Sequence, residues 1–265
     1  MIKLNGNIIG NKHFPNNETL FEFVLDGRND FFIYFKYEND LDITGLIFIK
    51  KFLDDKFTNP KVVLKMEYVP YSRMDRPIKN FIFTLKYFCQ LINDLKFYKV
   101  LVLDVHSSII LALLNNCVEL PLQHYINWIL DKKTIDYVFY PDNGACKKYT
   151  EILNLNNIPY FYGNKKRNLQ TTDIIEYELI QCPDINNKNI LIIDDLCATG
   201  STCYKASKKL KACGAKNILM YISHCENSIY NSDLIISNYI DEIFTTDSIL
   251  SNWENTILCN INEKL

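Results

Sequence analysis

The run Ile190-Leu191-Ile192-Ile193, followed at once by Asp194-Asp195 and then by Leu196-Cys197-Ala198-Thr199-Gly200-Ser201-Thr202, constrains the fold of this chain more than any other stretch. Four β-favouring residues in a row fit a strand buried on both faces, the habit of parallel sheets. Behind them Cys203, Ala206 and Leu210 fall on one helical face, so the segment around 205–211 reads as a crossover helix, with Gly214 as its stop. Gly200 lets the backbone approach a ligand closely. Thr199, Ser201 and Thr202, with the free N–H groups of a helix N-terminus, can bond phosphate oxygens. Asp194 and Asp195 are acceptors suited to the two vicinal hydroxyls of a ribose. The stretch therefore describes a ribose-phosphate site; the plainer alternative is a strand-to-helix turn with an Asp cap.

A chain of 265 residues with 48% hydrophobic content can bury a substantial core, in one large domain or two of ordinary size. Net charge is only −2 and the basic residues are dispersed, which argues against a nucleic-acid partner. No apolar run reaches membrane-spanning length, and the first residues lack a basic segment followed by a hydrophobic signal core. The expectation is a cytoplasmic protein with no membrane partner. The nine cysteines form no CxxC pair, and Cys89 and Cys213 sit inside apolar segments, so they read as reduced core thiols.

Strands are expected at 62–64, 100–103, 137–140, 190–193 and 218–222, with a helix over 81–95 between the first two. Alternating β and α elements imply parallel sheets covered by helices on both faces. With no long linker, the division must be compact. The turn at Asp131-Lys132-Lys133 marks it, giving domains 1–130 and 131–265. His106 and Asp142 each follow an apolar strand, at the C-terminal rim where ligands collect. Asp104 reads either as a supporting partner there or as a strand terminator. The polar, basic segment Gly163-Asn164-Lys165-Lys166-Arg167-Asn168, followed by Thr171-Thr172-Asp173, reads as a mobile surface loop. No GxxxxGK[ST] occurs, which argues against an ordinary P-loop kinase.

The 190–202 stretch resembles the 5-phosphoribosyl-diphosphate loop of type I phosphoribosyltransferases. Further segments narrow the resemblance: Pro70-Tyr71-Ser72-Arg73-Met74-Asp75-Arg76, Leu103-Asp104-Val105-His106-Ser107 and Tyr140-Pro141-Asp142-Asn143-Gly144. They occur in the order seen in ribose-phosphate diphosphokinases. Phe14-Pro15-Asn16-Asn17-Glu18-Thr19 resembles that family's adenine-contacting segment, and Thr245-Thr246-Asp247-Ser248 its late Thr-rich turn. The resemblance spans nearly the whole chain and implies two tandem phosphoribosyltransferase-like α/β domains with the active site between them.

It also implies roles. The adenine of ATP lies between Phe14 and Arg73, read by Asn16 and Glu18 and contributed across subunits, so the chain is expected to be a homo-oligomer. Apart from the resemblance, Phe14 reads equally as a staple packing an N-terminal strand. His106 and Asp142 hold a diphosphate bound to Mg2+, Asp142 being the safer ligand because magnesium prefers oxygen. Lys165 and Arg167 match the Lys-x-Arg pair that closes over the transferring group and neutralises its charge. Asp194, Asp195, Thr199, Gly200, Ser201 and Thr202 hold the ribose and its phosphate.

Several features depart from the family. Met74 stands where Gln is usual, only 13 residues precede Phe14, and no longer loop separates Arg76 from Pro77. The chain is therefore expected to be a trimmed member whose allosteric control is in question.

The activity implied is transfer of the β,γ-diphosphate of ATP to the C1 hydroxyl of ribose 5-phosphate, giving 5-phosphoribosyl diphosphate and AMP. Ala198 replaces a usual Asp beside the 5-phosphate, which leaves open the same chemistry on ADP-ribose, serving NAD synthesis. The rivals are a phosphoribosyltransferase, which would need only the loop, and an inactive regulatory paralogue, against which Lys165, Arg167 and Asp142 argue.

Overall fold

The structure is a computed structural model that describes the chain except residues 26, 79, 168–173, 252, 254, 256 and 265, and except the side chains of 166, 167 and 174–176. It divides into two units, Met1–Pro121 and Leu122–Leu265.

The first unit opens with β1 (Ile2–Leu4), β2 (Asn7–Ile8), β3 (Gly10–His13), β4 (Thr19–Glu22) and β5 (Asp30–Phe35). After these come α1 (Asp40–Lys56), β6 (Lys61–Lys65), α2 (Thr84–Asp94), β7 (Lys99–Leu103), α3 (Ile109–Leu113) and β8 (Cys117–Leu120). Its main sheet has the order β2-β1-β5-β6-β7-β8, parallel from β5 to β8. The strands β3 and β4 form a separate antiparallel hairpin.

Sequence explains the local structure. Helix α1 begins with a capping box: Asn39 accepts from the Leu41 N–H, and Asp42 accepts from the Asn39 N–H. Along β5, Phe31, Ile33 and Phe35 are buried and Phe32 is exposed, the two-residue period of a sheet with one covered face. That period has a topological cause. Strand order from β5 to β8 follows chain order, so right-handed crossovers put α1 and α2 on the same side. The expectation of helices on both faces therefore fails for this unit. Leu46, Ile49 and Leu53 of α1 and Leu85, Phe88 and Ile92 of α2 share one core cluster with β5 and β6.

The second unit begins with α4 (Gln123–Lys132), β9 (Tyr137–Tyr140), α5 (Asn143–Ile152), β10 (Tyr160–Arg167), β11 (Ile174–Ile180) and β12 (Asn189–Cys197). It continues through α6 (Ser201–Ala212), β13 (Asn217–Cys225), α7 (Asp233–Ile236), β14 (Glu242–Thr245) and β15 (Leu258–Asn260). The sheet order is β11-β10-β9-β12-β13-β14-β15, parallel except for the β10–β11 hairpin. Here the chain steps from β9 to β10 in one direction and from β12 to β13 in the other. Helices consequently lie on both faces. Cys203, Ala206 and Leu210 of α6 pack with Ile190, Ile192 and Ile218, whereas Tyr149 of α5 stacks on Tyr140 and Tyr125 of α4 on Tyr221.

The division falls at Pro121/Leu122, not at the Asp131-Lys132-Lys133 turn. Those residues are the C-terminal end of α4, where Lys132 complements the helix dipole. Tyr125 also ties α4 to the second unit by donating to Asn262 Oδ1 at 2.9 Å. All nine cysteines are free thiols; Cys89 is buried as expected, but Cys213 is exposed at the end of α6. No helix among the described residues is long and apolar enough to cross a membrane.

Candidate active site

The second sheet reverses its winding between β9 and β12, and in such sheets a crevice opens beyond the C-terminal ends of those two strands. Asp142 follows β9 directly, and Asp194 and Asp195 lie in the last turn of pleat of β12. The strand runs on to Cys197, so the two carboxylates are held by ladder pairing to β13 and not by a loop.

Beyond Cys197 the chain turns through Ala198 and Thr199 to Gly200, whose φ is +69° and which precedes α6. A Cβ at Gly200 would stand 2.8 Å from Leu234 Cδ2, so both backbone conformation and packing require glycine. No side chain caps α6 among the described residues. Its first-turn N–H groups have no carbonyl within the helix to bond, and Thr199 and Ser201 are exposed beside them. Free N–H groups flanked by hydroxyls are chemically able to take an anion.

The segment 163–167, expected as a mobile loop, is strand: Gly163 to Arg167 pair with β11, Lys165 opposite Tyr177. The side chain of Arg167 and residues Asn168, Thr171, Thr172 and Asp173 lie outside the described residues. Lys165 reaches Asp142, with Nζ 2.6 Å from Oδ2, and Asp142 Oδ1 accepts from the Ala145 N–H at 2.9 Å as the N-cap of α5. Burial alone would raise the Asp142 carboxyl. The Lys165 hydrogen bond and charge, with the N–H groups of Ala145 and Gly144, outweigh it and hold Asp142 below the usual range.

Asp194 shows the opposite behaviour. Burial first, then the neighbouring Asp195 charge, push its carboxyl well up, with Lys165 opposing only in part. Asp195 itself lies 3.8 Å from Lys148 Nζ. Two adjacent carboxylates are costly to ionise together. Hydroxyl donors from a vicinal diol are the kind of ligand that would relieve them.

Three participants were not read from sequence. Lys148 pairs with Asp195; its signal is a cation on the first turns of the helix after β9. Tyr177 donates to Pro141 O at 2.8 Å and lies against Gly163, fixing the β10–β11 hairpin beside Asp142. At the end of β13, buried His224 has Nδ1 2.8 Å from Ser248 Oγ, and Thr246 Oγ1 donates to Ser223 O at 2.6 Å. The Thr-rich turn is thus a buried hydroxyl network that fixes the rim.

The remaining candidates lie in the first unit, on three separate segments. Phe14, Asn16 and Glu18 form the tip of the β3–β4 hairpin, closed by Phe14 N–H to Glu18 O and Glu18 N–H to Asn16 Oδ1. Phe14 is 52% exposed, which leaves area on which a base can stack. Arg73 is exposed in the turn after β6. His106 is exposed just beyond β7, while Asp104, buried with φ +43°, ends that strand. Among the described residues no three His, Cys, Asp or Glu side chains are grouped to hold a metal unaided.

Comparison with known proteins agrees with this geometry. The chain is 25% identical over 221 residues to a ribose-phosphate pyrophosphokinase of Pyrococcus furiosus, covering 80% of this chain and 76% of that one. It is 26% identical over 226 residues to one of Saccharolobus solfataricus, covering 82% and 76%. A crystal structure of phosphoribosylpyrophosphate synthetase from Mycobacterium smegmatis superposes with a TM-score of 0.76 at 15% identity, covering 97% of this chain and 87% of that chain, which establishes a shared fold. No protein-family model matches the chain.

Proposed function

We propose that the chain, which is 25–26% identical to ribose-phosphate pyrophosphokinases over 80–84% of its length, transfers the β,γ-diphosphate of ATP to the C1 hydroxyl of ribose 5-phosphate, releasing AMP. The observation that carries this reading is the pairing at one switch point of an uncapped, hydroxyl-lined helix N-terminus with two adjacent carboxylates. Thr199, Ser201, Thr202 and the α6 N–H groups take the 5-phosphate. Asp194 and Asp195 accept from the ribose hydroxyls and orient C1. The C1 oxygen forms a bond to the β-phosphorus and gives up its proton to water, the bond between that phosphorus and the α-phosphate oxygen breaks, and AMP departs with the electron pair. Lys165, with Arg167 on the same strand, offsets charge on the transferring oxygens.

Magnesium fits this donor set as a cation that arrives with its phosphate. It commonly takes one or two carboxylates and completes its shell from substrate and water, and Asp142 supplies a carboxylate at the correct rim. Bound there, magnesium would supply charge neutralisation and orientation of the diphosphate.

The exposed Phe14 ring and the exposed Arg73 suit an adenine that stacks on the hairpin tip. Contribution of that hairpin by a neighbouring copy makes the working enzyme an oligomer. A second acceptor, ADP-ribose, is favoured by one residue: Ala198 is small and uncharged and so leaves room beside the 5-phosphate.

The test is AMP release from ATP and magnesium with either ribose 5-phosphate or ADP-ribose. Turnover with ribose 5-phosphate supports the main reading. Turnover with ADP-ribose alone supports the second, and none with either removes both. Mixing Phe14→Ala with Asp195→Ala protein tests the shared nucleotide site, since hybrid assemblies then regain activity.

A further inference from the structure

Tyr71 is the one aromatic residue among the described non-glycine positions with positive φ, at +63°; most of the others are asparagines. Asparagine tolerates the left-handed region, but a bulky residue stays there only when its surroundings fix it. The surroundings are specific. Tyr71 Oη donates to Asp40 Oδ1 at 2.5 Å, and Tyr37 Oη donates to the same oxygen at 2.8 Å. The Tyr71 ring packs edge-on against Phe88 of α2, at 5.5 Å between centroids. Asp40 opens α1, a helix of 17 residues capped by Asn39 and Asp42 and buried through Leu46, Ile49 and Leu53. The acceptor is therefore fixed to the core.

The conformation of Tyr71 decides where its neighbours go. Met74 N–H bonds Tyr71 O at 2.9 Å and closes a turn in which Ser72 points inward and Arg73 outward. Ser72 is 1% exposed and its Oγ has no hydrogen-bond partner among the described residues. A buried, unsatisfied hydroxyl favours any rearrangement that returns it to water. Two opposing tendencies thus meet at adjacent residues: Ser72 pulls the turn open, and the phenol–carboxylate contact holds it shut.

We infer that Asp40 and Tyr71 are positioning residues that hold the turn so that Arg73 is presented to the nucleotide, and that they govern ATP affinity and not the transfer step. The inference rests on the proposed role of Arg73. The two phenol donors, Tyr71 first and Tyr37 second, also keep the Asp40 carboxyl below its usual range, so it remains an acceptor across the working pH.

The test uses the full-length protein with Tyr71→Phe, Asp40→Ala, Asp40→Asn and, as reference, Arg73→Ala, assayed for AMP release and for equilibrium binding of ATP. Tyr71→Phe and Asp40→Ala should raise KM and Kd for ATP about fivefold to tenfold, the scale of one lost hydrogen bond. The kcat and the KM for ribose 5-phosphate should stay within about twofold. Asp40→Asn, which keeps a neutral acceptor, should recover part of the affinity. The double variant Asp40→Ala/Tyr71→Phe should lose no more than either single one. Adding Ser72→Ala to Tyr71→Phe should restore affinity, because the opposing hydroxyl is gone.

Unchanged ATP affinity in Arg73→Ala would remove the nucleotide role of Arg73, and this inference with it. Weakened ATP binding in Arg73→Ala beside wild-type binding in Tyr71→Phe and Asp40→Ala would sink the positioning role alone. Equal losses in both substrates and in kcat would assign the pair to general stability and overturn it as well.

Discussion

Replacing Gly163 by alanine probes the contact that places Lys165. An added Cβ would stand 2.2 Å from Tyr177 Oη, 2.6 Å from Cζ and 2.9 Å from the backbone oxygen of Pro141. The phenol cannot simply swing aside, because its hydroxyl is bonded to that same Pro141 oxygen at 2.8 Å. Overpacking of this kind costs about 1–3 kcal/mol, and loss of the hydrogen bond adds about 1 kcal/mol. The sum is about 2–4 kcal/mol, or a fall in Tm of about 5–15 °C at this chain length.

Activity should fall further than stability. Lys165 is two residues along β10 and opposite Tyr177 in register, so a shift on the order of 1 Å at Gly163 reaches the Lys165–Asp142 pair. Misplacement of that size in a reacting group lowers turnover by up to about 100-fold. Thermal melting by circular dichroism and AMP release with ATP and ribose 5-phosphate measure the two effects. A second change, Tyr177→Leu, removes the clashing atoms and should bring the Tm of the double variant above that of Gly163→Ala alone. Gly163→Ala with unaltered Tm and kcat would refute the close-approach argument.

Gly200→Ala should lower both Tm and affinity for the phosphate-bearing acceptor, since φ is +69° and Leu234 occupies the Cβ position; unchanged acceptor KM counts against phosphate binding at this turn. Lys165→Ala should lower kcat by about 100-fold or more with a smaller change in KM, and full turnover would return the strand to a structural role. Asp194 has a folded pKa above its unfolded one, so the folded state holds the extra proton and stability falls as pH rises through that window. Asp194→Asn should therefore melt higher than the wild type at neutral pH, with the difference vanishing below about pH 4; a pH-independent difference would contradict this. Asp142 has the reverse sign, its stability present above the ordinary carboxylate pKa and lost as pH falls through the depressed one. Asp142→Asn should accordingly lose its stability deficit in acid.

The apolar strands were legible because a short Ile-rich run that ends at Asp194 and a Gly200 turn fits a strand buried on both faces better than a helix. What such a run does not show is where the strand ends. Aspartate is depleted in strands, so the expected strand stopped at Ile193, yet pairing with β13 carries the ladder through to Cys197. Strand β10 was illegible for a related reason. Gly163-Asn164-Lys165-Lys166-Arg167 has no β pattern of its own and becomes strand only through pairing with the edge strand β11. The two-unit division was legible, but not its position, since three charged residues look alike in a turn and in the last turn of a helix. Buried polar partners such as Tyr177 and His224 leave no mark at the level of motif. Their roles come from which backbone oxygen or hydroxyl the fold brings to them.

The Lys165–Asp142 pair has a consequence for how the site can bind. A partly buried pair is costly to break if one partner is left behind, so an anion that drew Lys165 away alone would leave Asp142 uncompensated. A neutral sugar would draw neither. On the proposed reading the entering group is a magnesium diphosphate, which offers phosphate oxygens to Lys165 and a cation to Asp142 at once. Both charges exchange partners and neither is stranded. Such a site should discriminate strongly between magnesium-bound and free ATP, and Asp142→Asn should blunt that discrimination by removing the carboxylate that makes the cation necessary.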